Sequence, residues 1–230
     1  MNAVSFPNAQ EHLVTVFADS VPLEANLVVP ADACGVVVFA HGSGSSRHSP
    51  RNRYVARVLQ QEGLATLLLD LLTTQEEAID MRTRHFRFDI GLLAARLVSA
   101  TDWLCRTPAT QTLRIGYFGA STGSAAALIA ATQRADVVKA VVSRGGRPDL
   151  ARSALRQVQA PTLLIVGSYD FPVLAMNEDA LDLLDQTPEK QLEIIPGATH
   201  LFEEPGTLKQ VAMLACQWFK HYLTPVHPLN

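Results

Sequence analysis

The chain has 230 residues, of which 48% are hydrophobic and 18% charged, so it can build a packed core and is too apolar for an intrinsically disordered chain. Its 19 basic and 22 acidic residues give a net charge of −3, which argues against a nucleic-acid-binding domain. No apolar run approaches the ~18 residues that a membrane-spanning helix needs. We therefore expect one domain over residues 1–230, with neither a nucleic-acid partner nor a membrane partner.

The cysteines and the first residues of the chain indicate the cellular compartment in which the protein is expected. The three cysteines lie far apart, and the first residues lack the basic and apolar segments of a secretory signal. This pattern favours a reduced, cytoplasmic protein. No HExxH motif and no close cluster of histidine and acidic residues occurs, so we expect neither a metal nor another cofactor.

Short apolar segments predict the strands. The first two, residues 13–17 and 23–29, alternate apolar and polar side chains as antiparallel edge strands do. Later segments are almost entirely apolar, as strands buried on both faces must be. These segments span residues 35–40, 65–70, 114–119, 139–143, 161–167 and 191–195.

Segments with helical periodicity lie between these predicted strands. Apolar residues recur at intervals of about 3.6 residues between positions 90 and 104. Other helix-prone or amphipathic segments span residues 54–59, 125–131, 174–184 and 208–223. Segment 75–87 mixes charges of both signs, and we expect an exposed loop or a short helix there. The alternation predicts an α/β fold with helices on both faces of a parallel sheet, whose ligand site lies at the carboxyl ends of the strands.

A candidate nucleophile follows the strand at residues 114–119. The sequence Gly119-Ala-Ser-Thr-Gly123 matches G-x-S-x-G between a predicted strand and an alanine-rich helix. Glycines on either side of Ser121 permit the close approach of strand and helix that such a turn requires. The helix N-terminus behind the serine favours negative charge that develops there. We therefore expect Ser121 to be a nucleophile, and the alternative is a tight structural turn.

A serine needs a base that is held by an acid, and both follow in the chain order Ser, Asp, His. Asp170 follows the strand at 161–167 and precedes Pro172, so its alternative role is a helix N-cap. His200 follows the strand at 191–195, and its alternative is a surface loop residue. Both positions lie at the predicted carboxyl edge, where they can meet Ser121.

Together these residues resemble the α/β-hydrolase superfamily, and within it the dienelactone-hydrolase-like group, which includes forms fused elsewhere to phosphoribosyltransferase-like domains. The resemblance runs from about Val21 to Tyr222 and is carried by the segments HGSGSSRHSPRN, LLLDLLT, GASTG, VVSRGGRPDL and GATHLF. It implies a mostly parallel eight-stranded sheet with a Ser121–His200–Asp170 triad and a minimal cap or none. Dienelactone hydrolases proper use a cysteine nucleophile, whereas this chain has Ser121, which weakens the transfer of their lactone substrate.

The loop after the strand at 35–40 is the candidate oxyanion hole. Its glycines and small polar residues let the backbone turn sharply and expose N–H groups. A phosphate-binding loop is the weaker alternative, because neither GxGxxG nor a Gly-Lys-[Ser/Thr] ending is present. We expect the N–H groups of Ser43 and Thr122 to hold the oxyanion, with Gly42 as the competitor of Ser43.

Several residues at the same edge are candidates for substrate binding. Arg47, His48 and Arg144 can clamp a carboxylate or phosphate, because guanidinium binds oxyanions through two parallel hydrogen bonds. Arg144 is favoured because glycines follow it, and the alternative for each arginine is solvated surface. Phe171 and Leu201 can line an acyl pocket, although core packing is their alternative.

The sequence therefore predicts a serine hydrolase that cleaves a small or medium carboxylic ester through an acyl-enzyme, lactones included. In one alternative the same triad cleaves a thioester, peptide or C–C bond instead of an ester, or it transfers the acyl group to an acceptor other than water. Another, from a different class, is a non-catalytic module of the same fold that binds a ligand or a partner. Both a monomer and a homodimer are compatible with the sequence.

Overall fold

A single mixed β-sheet organises residues 10–225, which are the residues described by the computed structural model. Its strands are β1 (His12–Ala18), β2 (Val21–Val28), β3 (Gly35–Ala40), β4 (Leu64–Leu69), β5 (Ile115–Ala120), β6 (Val138–Arg144), β7 (Thr162–Gly167) and β8 (Lys190–Ile195). The helices are α1 (Pro50–Gln61), α2 (Thr74–Thr83), α3 (Ile90–Arg106), α4 (Thr122–Gln133), α5 (Phe171–Leu183) and α6 (Thr207–Leu223). Two 3-10 segments, Phe86–Phe88 and Pro148–Gln157, complete the described elements.

The strand order confirms the predicted architecture. The sheet runs β1-β2-β4-β3-β5-β6-β7-β8, with β1 and β2 antiparallel to their neighbours and the remaining strands parallel. Every residue of β3, β4, β5 and β7 is buried, whereas β1 alternates exposed and less exposed positions. The apolar segments identified the central strands correctly, because only central strands are covered on both faces. The expectation of such a strand at residues 191–195 was wrong: β8 is the other edge of the sheet and is mostly exposed or half-buried.

Helices cover both faces of the sheet, and the pleat of β3 assigns its residues to one face or the other. Val36 and Val38 pack in the hydrophobic cluster that contains α3 and α4. Val37 and Phe39 pack in the cluster that contains α1 and α6. Successive side chains of a strand point to opposite faces, so an entirely apolar strand serves both cores.

Segment 75–87, predicted as an exposed loop or short helix, forms most of helix α2 and the 3-10 segment that follows it. Thr73 and Glu76 form a capping box, in which each side chain accepts a hydrogen bond from the backbone N–H of the other. Glu76 also pairs with the buried Arg96, whose guanidinium donates to the carbonyl of Leu71. These contacts hold α2 over the carboxyl edge of β4.

No helix within residues 10–225 combines the length and the apolar character needed to cross a membrane. Between β6 and β7 the chain forms the 3-10 segment Pro148–Gln157 and no helical cap. The site at the carboxyl edge therefore stays uncovered on that side.

Candidate active site

Ser121 lies on a sharp turn between β5 and α4. Its φ and ψ are 50° and −122°, a conformation that residues other than glycine rarely adopt. Backbone hydrogen bonds on both sides hold the turn: Ser121 N–H donates to the carbonyl of Arg144 at 3.3 Å, and its own carbonyl accepts from Ser124 and Arg147 at 3.0 and 3.1 Å. The sequence motif therefore forms the strained strand–turn–helix expected of a nucleophile.

The two motif glycines are required by close backbone contacts. A Cβ atom at Gly119 would lie 2.4 Å from Cα of Ser124, and one at Gly123 would lie 2.3 Å from the carbonyl oxygen of Ala40. Both neighbours are backbone atoms, which cannot rotate away. The spacing of glycines around Ser121 therefore follows from the packing of α4 against β3 and β5.

We expect Gly123→Ala to destabilise the protein by about 3 kcal/mol or more, because a backbone clash must be relieved by moving strand or helix. In a chain of this size that corresponds to a drop in melting temperature of roughly 6–12 °C. Gly91→Ala is the matched control, because a Cβ there meets its nearest atom at 3.6 Å, an ordinary contact. A Gly123→Ala variant that melts within about 2 °C of the parent would contradict this explanation of the motif.

Asp170 and His200 are brought into direct contact. Asp170 follows β7 and His200 follows β8, and Oδ2 of the carboxylate lies 2.6 Å from Nδ1 of the imidazole. Asp170 occupies the N-cap position of α5 but makes no capping hydrogen bond with its side chain. Its carboxylate is directed at the histidine instead. Because a carboxylate only accepts, Nδ1 carries the proton and Nε2 is left as an acceptor.

Ser121 and His200 line the same cavity, whose volume is about 210 Å³. Gly145 lies beside the imidazole, and a Cβ there would approach Nδ1 and Cε1 of His200 at 3.5 Å. Within the described residues the Ser121 hydroxyl makes no hydrogen bond to the imidazole. Such bonds are often long in free enzymes and shorten when substrate binds. The arrangement thus provides a hydroxyl, a base and an acid at one strand edge.

The candidate oxyanion donors lie around Ser121. Thr122 is the first residue of α4, and the loop that contains Gly42 and Ser43 passes close enough that a Cβ at Gly42 would lie 3.0 Å from Cβ of Ser121. The hydroxyls of Ser43 and Thr122 are hydrogen-bonded at 3.0 Å, which ties the loop to the helix. Gly42 and Ser43 both line the cavity of Ser121, so each can supply the second N–H.

His41 holds this loop in place, a role that sequence reasoning missed. Its Nε2 accepts a hydrogen bond from the backbone of Leu71 at 3.0 Å, and its Nδ1 lies 2.9 Å from the carbonyl oxygen of Gly42. Burial lowers the pKa of His41, which keeps the ring neutral and able to accept and donate at once. A histidine directly after a buried strand was the signal in the sequence.

Two of the predicted binding residues lie outside the cavity of Ser121. Arg47 is held away from the cavity by Asp70, by Glu24 at 2.6 Å and by Asn26 at 2.9 Å. With its donors occupied by these partners, the guanidinium ties the loop to β2 and β4. His48 is exposed and does not line the cavity either.

Of the remaining candidates, Arg144 and Leu201 line the cavity of Ser121 and Phe171 does not. Phe171 is the first residue of α5, and 68% of its surface is exposed. Arg144, at the end of β6, is buried with 7% of its surface exposed. Leu201 follows His200 and is partly exposed.

A second cavity, of about 140 Å³, lies on the other side of the oxyanion loop. It is bounded by Ser43 and Thr122 and lies beneath α2, which contributes Met81. Leu72 and Leu93 supply further apolar surface. The two cavities therefore meet at the candidate oxyanion donors.

The fold and the carboxyl-edge site define an α/β-hydrolase. The chain belongs to the dienelactone hydrolase family, whose sequence model matches residues 23–223. A dienelactone hydrolase from Anabaena variabilis is 69% identical, with a TM-score of 0.91 over 93% of this chain and 98% of that one. The XC6422 protein of Xanthomonas campestris, described as a serine hydrolase without a lid, shares the fold at 21% identity and a TM-score of 0.74, covering 97% of this chain and 99% of that chain.

A longer relative is also similar. A Mycobacterium tuberculosis protein that carries the provisional name phosphoribosyl transferase is 56% identical over 224 residues. The match covers 97% of this chain and 49% of that protein, so the chain spans about half the length of this relative.

Proposed function

We propose that the protein is a serine esterase that hydrolyses small carboxylic esters, lactones included, through an acyl-enzyme on Ser121. The observation that carries the proposal is the 2.6 Å contact between Asp170 and Nδ1 of His200, in a cavity that Ser121 also lines. This contact fixes the tautomer in which Nε2 accepts a proton, which is what an attacking hydroxyl needs. The dienelactone hydrolase family, whose model matches residues 23–223, supports the hydrolase class.

In the proposed reaction, Nε2 of His200 takes the proton of Ser121 as Oγ attacks the ester carbonyl. The resulting oxyanion accepts hydrogen bonds from the N–H of Thr122 and that of Ser43, with Gly42 as the competing donor, and Asp170 stabilises the imidazolium. The imidazolium then returns the proton to the leaving alkoxide as the C–O bond breaks. Water, deprotonated by the same imidazole, attacks the acyl-enzyme and releases the acid and the free Ser121 hydroxyl.

The cavities support short substrates. The acyl group is assigned to the 140 Å³ cavity under α2, whose volume is close to that of an engineered protein cavity of about 150 Å³ that holds benzene. We therefore expect acyl groups of up to about six carbon atoms to fit best. Because this chain spans about half of the longer relative, the phosphoribosyl transfer for which that protein is named is not carried over to it.

The proposal is tested with p-nitrophenyl esters of increasing chain length. We expect kcat/KM to be highest for acetate to hexanoate and to fall by about tenfold or more at decanoate, since the extra methylenes have no cavity to enter. A preference for decanoate would contradict the assignment of the acyl pocket. Matched thioester and amide substrates test the other acyl bonds, and hydrolysis of none of these substrates would favour the non-catalytic module.

A further inference from the structure

Arg144 is a buried cation without an anionic partner. Its guanidinium makes one long hydrogen bond, 3.5 Å to Oδ1 of Asn52, and lies 5.9 Å from the ring centre of Phe202. Its Nε has no hydrogen-bond partner within residues 10–225. Burial, together with the charge of Arg51, lowers the pKa of Arg144 to about 10. Burial of an unpaired charge lowers the stability of the folded protein, so stability alone does not explain a buried arginine at position 144.

Arg51 brings a second guanidinium to the same cavity. Its Nε is also buried and lacks a partner in the part of the chain that the structure describes. Its Nη1 reaches Glu203 at 3.3 Å, but the Glu203 side chain is 65% exposed, so water screens that pair. The two arginines repel each other across the cavity, and an anion bound between them would relieve this repulsion.

The start of α1 adds a third element to this site. Ser49 caps the helix by accepting a hydrogen bond from the backbone of Asn52 at 3.3 Å, and both residues line the cavity beside Arg51 and Arg144. Pro50 has no N–H and Ser49 takes the N–H of Asn52, so the start of α1 offers an anion the N–H of Arg51 together with the helix dipole. Of the residues that line this cavity in the described chain, none is an aspartate or a glutamate.

We propose that Arg144, Arg51 and the N-terminus of α1 bind a phosphate monoester dianion carried by the substrate. A single carboxylate pairs fully with one guanidinium, whereas two guanidiniums and a helix N-terminus match the charge and the several acceptor oxygens of a phosphate. Because Ser121 and His200 line the same cavity, the phosphate lies within a few bonds of the scissile carbonyl. The substrate class inferred here, a small phosphorylated ester, rests on the proposed function. Binding of the anion itself does not depend on ester hydrolysis.

The test is calorimetric titration with methyl phosphate at about pH 8, where this monoester is a dianion. We expect binding to the parent protein and to Ser121→Ala, with affinity lowered about 10- to 100-fold by Arg144→Met and by Arg51→Met. Arg144→Lys keeps the charge with fewer aligned donors and should lie between parent and Arg144→Met. Arg156→Met removes an exposed arginine paired with Asp185 and serves as the control with unchanged affinity.

Methyl sulfate separates charge from shape, because it is tetrahedral and carries one negative charge. We expect it and propionate to bind at least about tenfold more weakly than methyl phosphate. Equal binding of methyl sulfate overturns the dianion assignment, and so does methyl phosphate binding that Arg144→Lys and Arg144→Met leave unchanged. Absence of binding to the parent overturns the site. We expect Ser121→Ala to bind methyl phosphate although it cannot hydrolyse esters. A failure of the esterase proposal can therefore be distinguished from a failure of the anion site.

Discussion

Replacing Ser121 with alanine is expected to lower kcat for p-nitrophenyl butyrate by about 10⁵- to 10⁶-fold, because the variant loses the hydroxyl on which the acyl-enzyme is proposed to form. The melting temperature should change little, since the Ser121 side chain makes no hydrogen bond among the described residues and the turn is held by backbone contacts. Steady-state kinetics and thermal unfolding on the same preparation measure both quantities.

Ser124→Ala is the control for this change. Its hydroxyl is buried one turn further along α4 and has no hydrogen-bond partner in residues 10–225, so its removal should leave kcat within about threefold of the parent. If Ser121→Ala kept more than about a hundredth of the parent activity, the nucleophile would have to be another residue.

Asp170→Asn is expected to lower kcat by about 10⁴-fold with little change in KM. The amide has the size of the carboxylate, but its NH₂ group can donate to Nδ1 and so favours the tautomer with the proton on Nε2. In that tautomer His200 cannot take the proton of Ser121. Kinetics of the variant at saturating ester concentration measure the effect.

Asp149→Asn is the matched control, because Asp149 pairs with Arg147 at 2.8 Å on the surface and contacts neither His200 nor the cavity. We expect its kcat to stay within about twofold of the parent. Comparable losses in the two variants would mean that the 2.6 Å contact of Asp170 does not orient the base.

The sequence predicted most of the fold because the central strands must be apolar on both faces. β3, predicted at 35–40, has the same bounds in the structure, and β7 differs by one residue at its start. The candidate nucleophile, base and acid were found for a related reason, since a parallel sheet collects the residues that follow its strands at one edge. The contact between Asp170 and His200 depends on this topology more than on local sequence.

Side-chain partners from distant strands could not be read in the same way. Arg47 follows the oxyanion loop as a substrate clamp would, but its partners Glu24 and Asn26 come from β2, whose antiparallel pairing with β4 decides what the loop meets. Arg144 ends β6 in a similar polar segment, yet it is left without an acidic neighbour. The two arginines therefore differ in their partners, since Arg47 is bound to acidic and amide side chains and Arg144 has no acidic partner among residues 10–225, although their sequence contexts look alike.

Covalent labelling tests the central claim most directly, namely that folding makes Ser121 reactive. Native protein is treated with a fluorophosphonate, digested, and analysed by mass spectrometry. The account predicts one adduct, on the peptide that contains Ser121, and its loss in denatured protein and in Asp170→Asn, where His200 cannot act as the base. A native protein that remains unlabelled, or whose adduct lies on another serine, would contradict it.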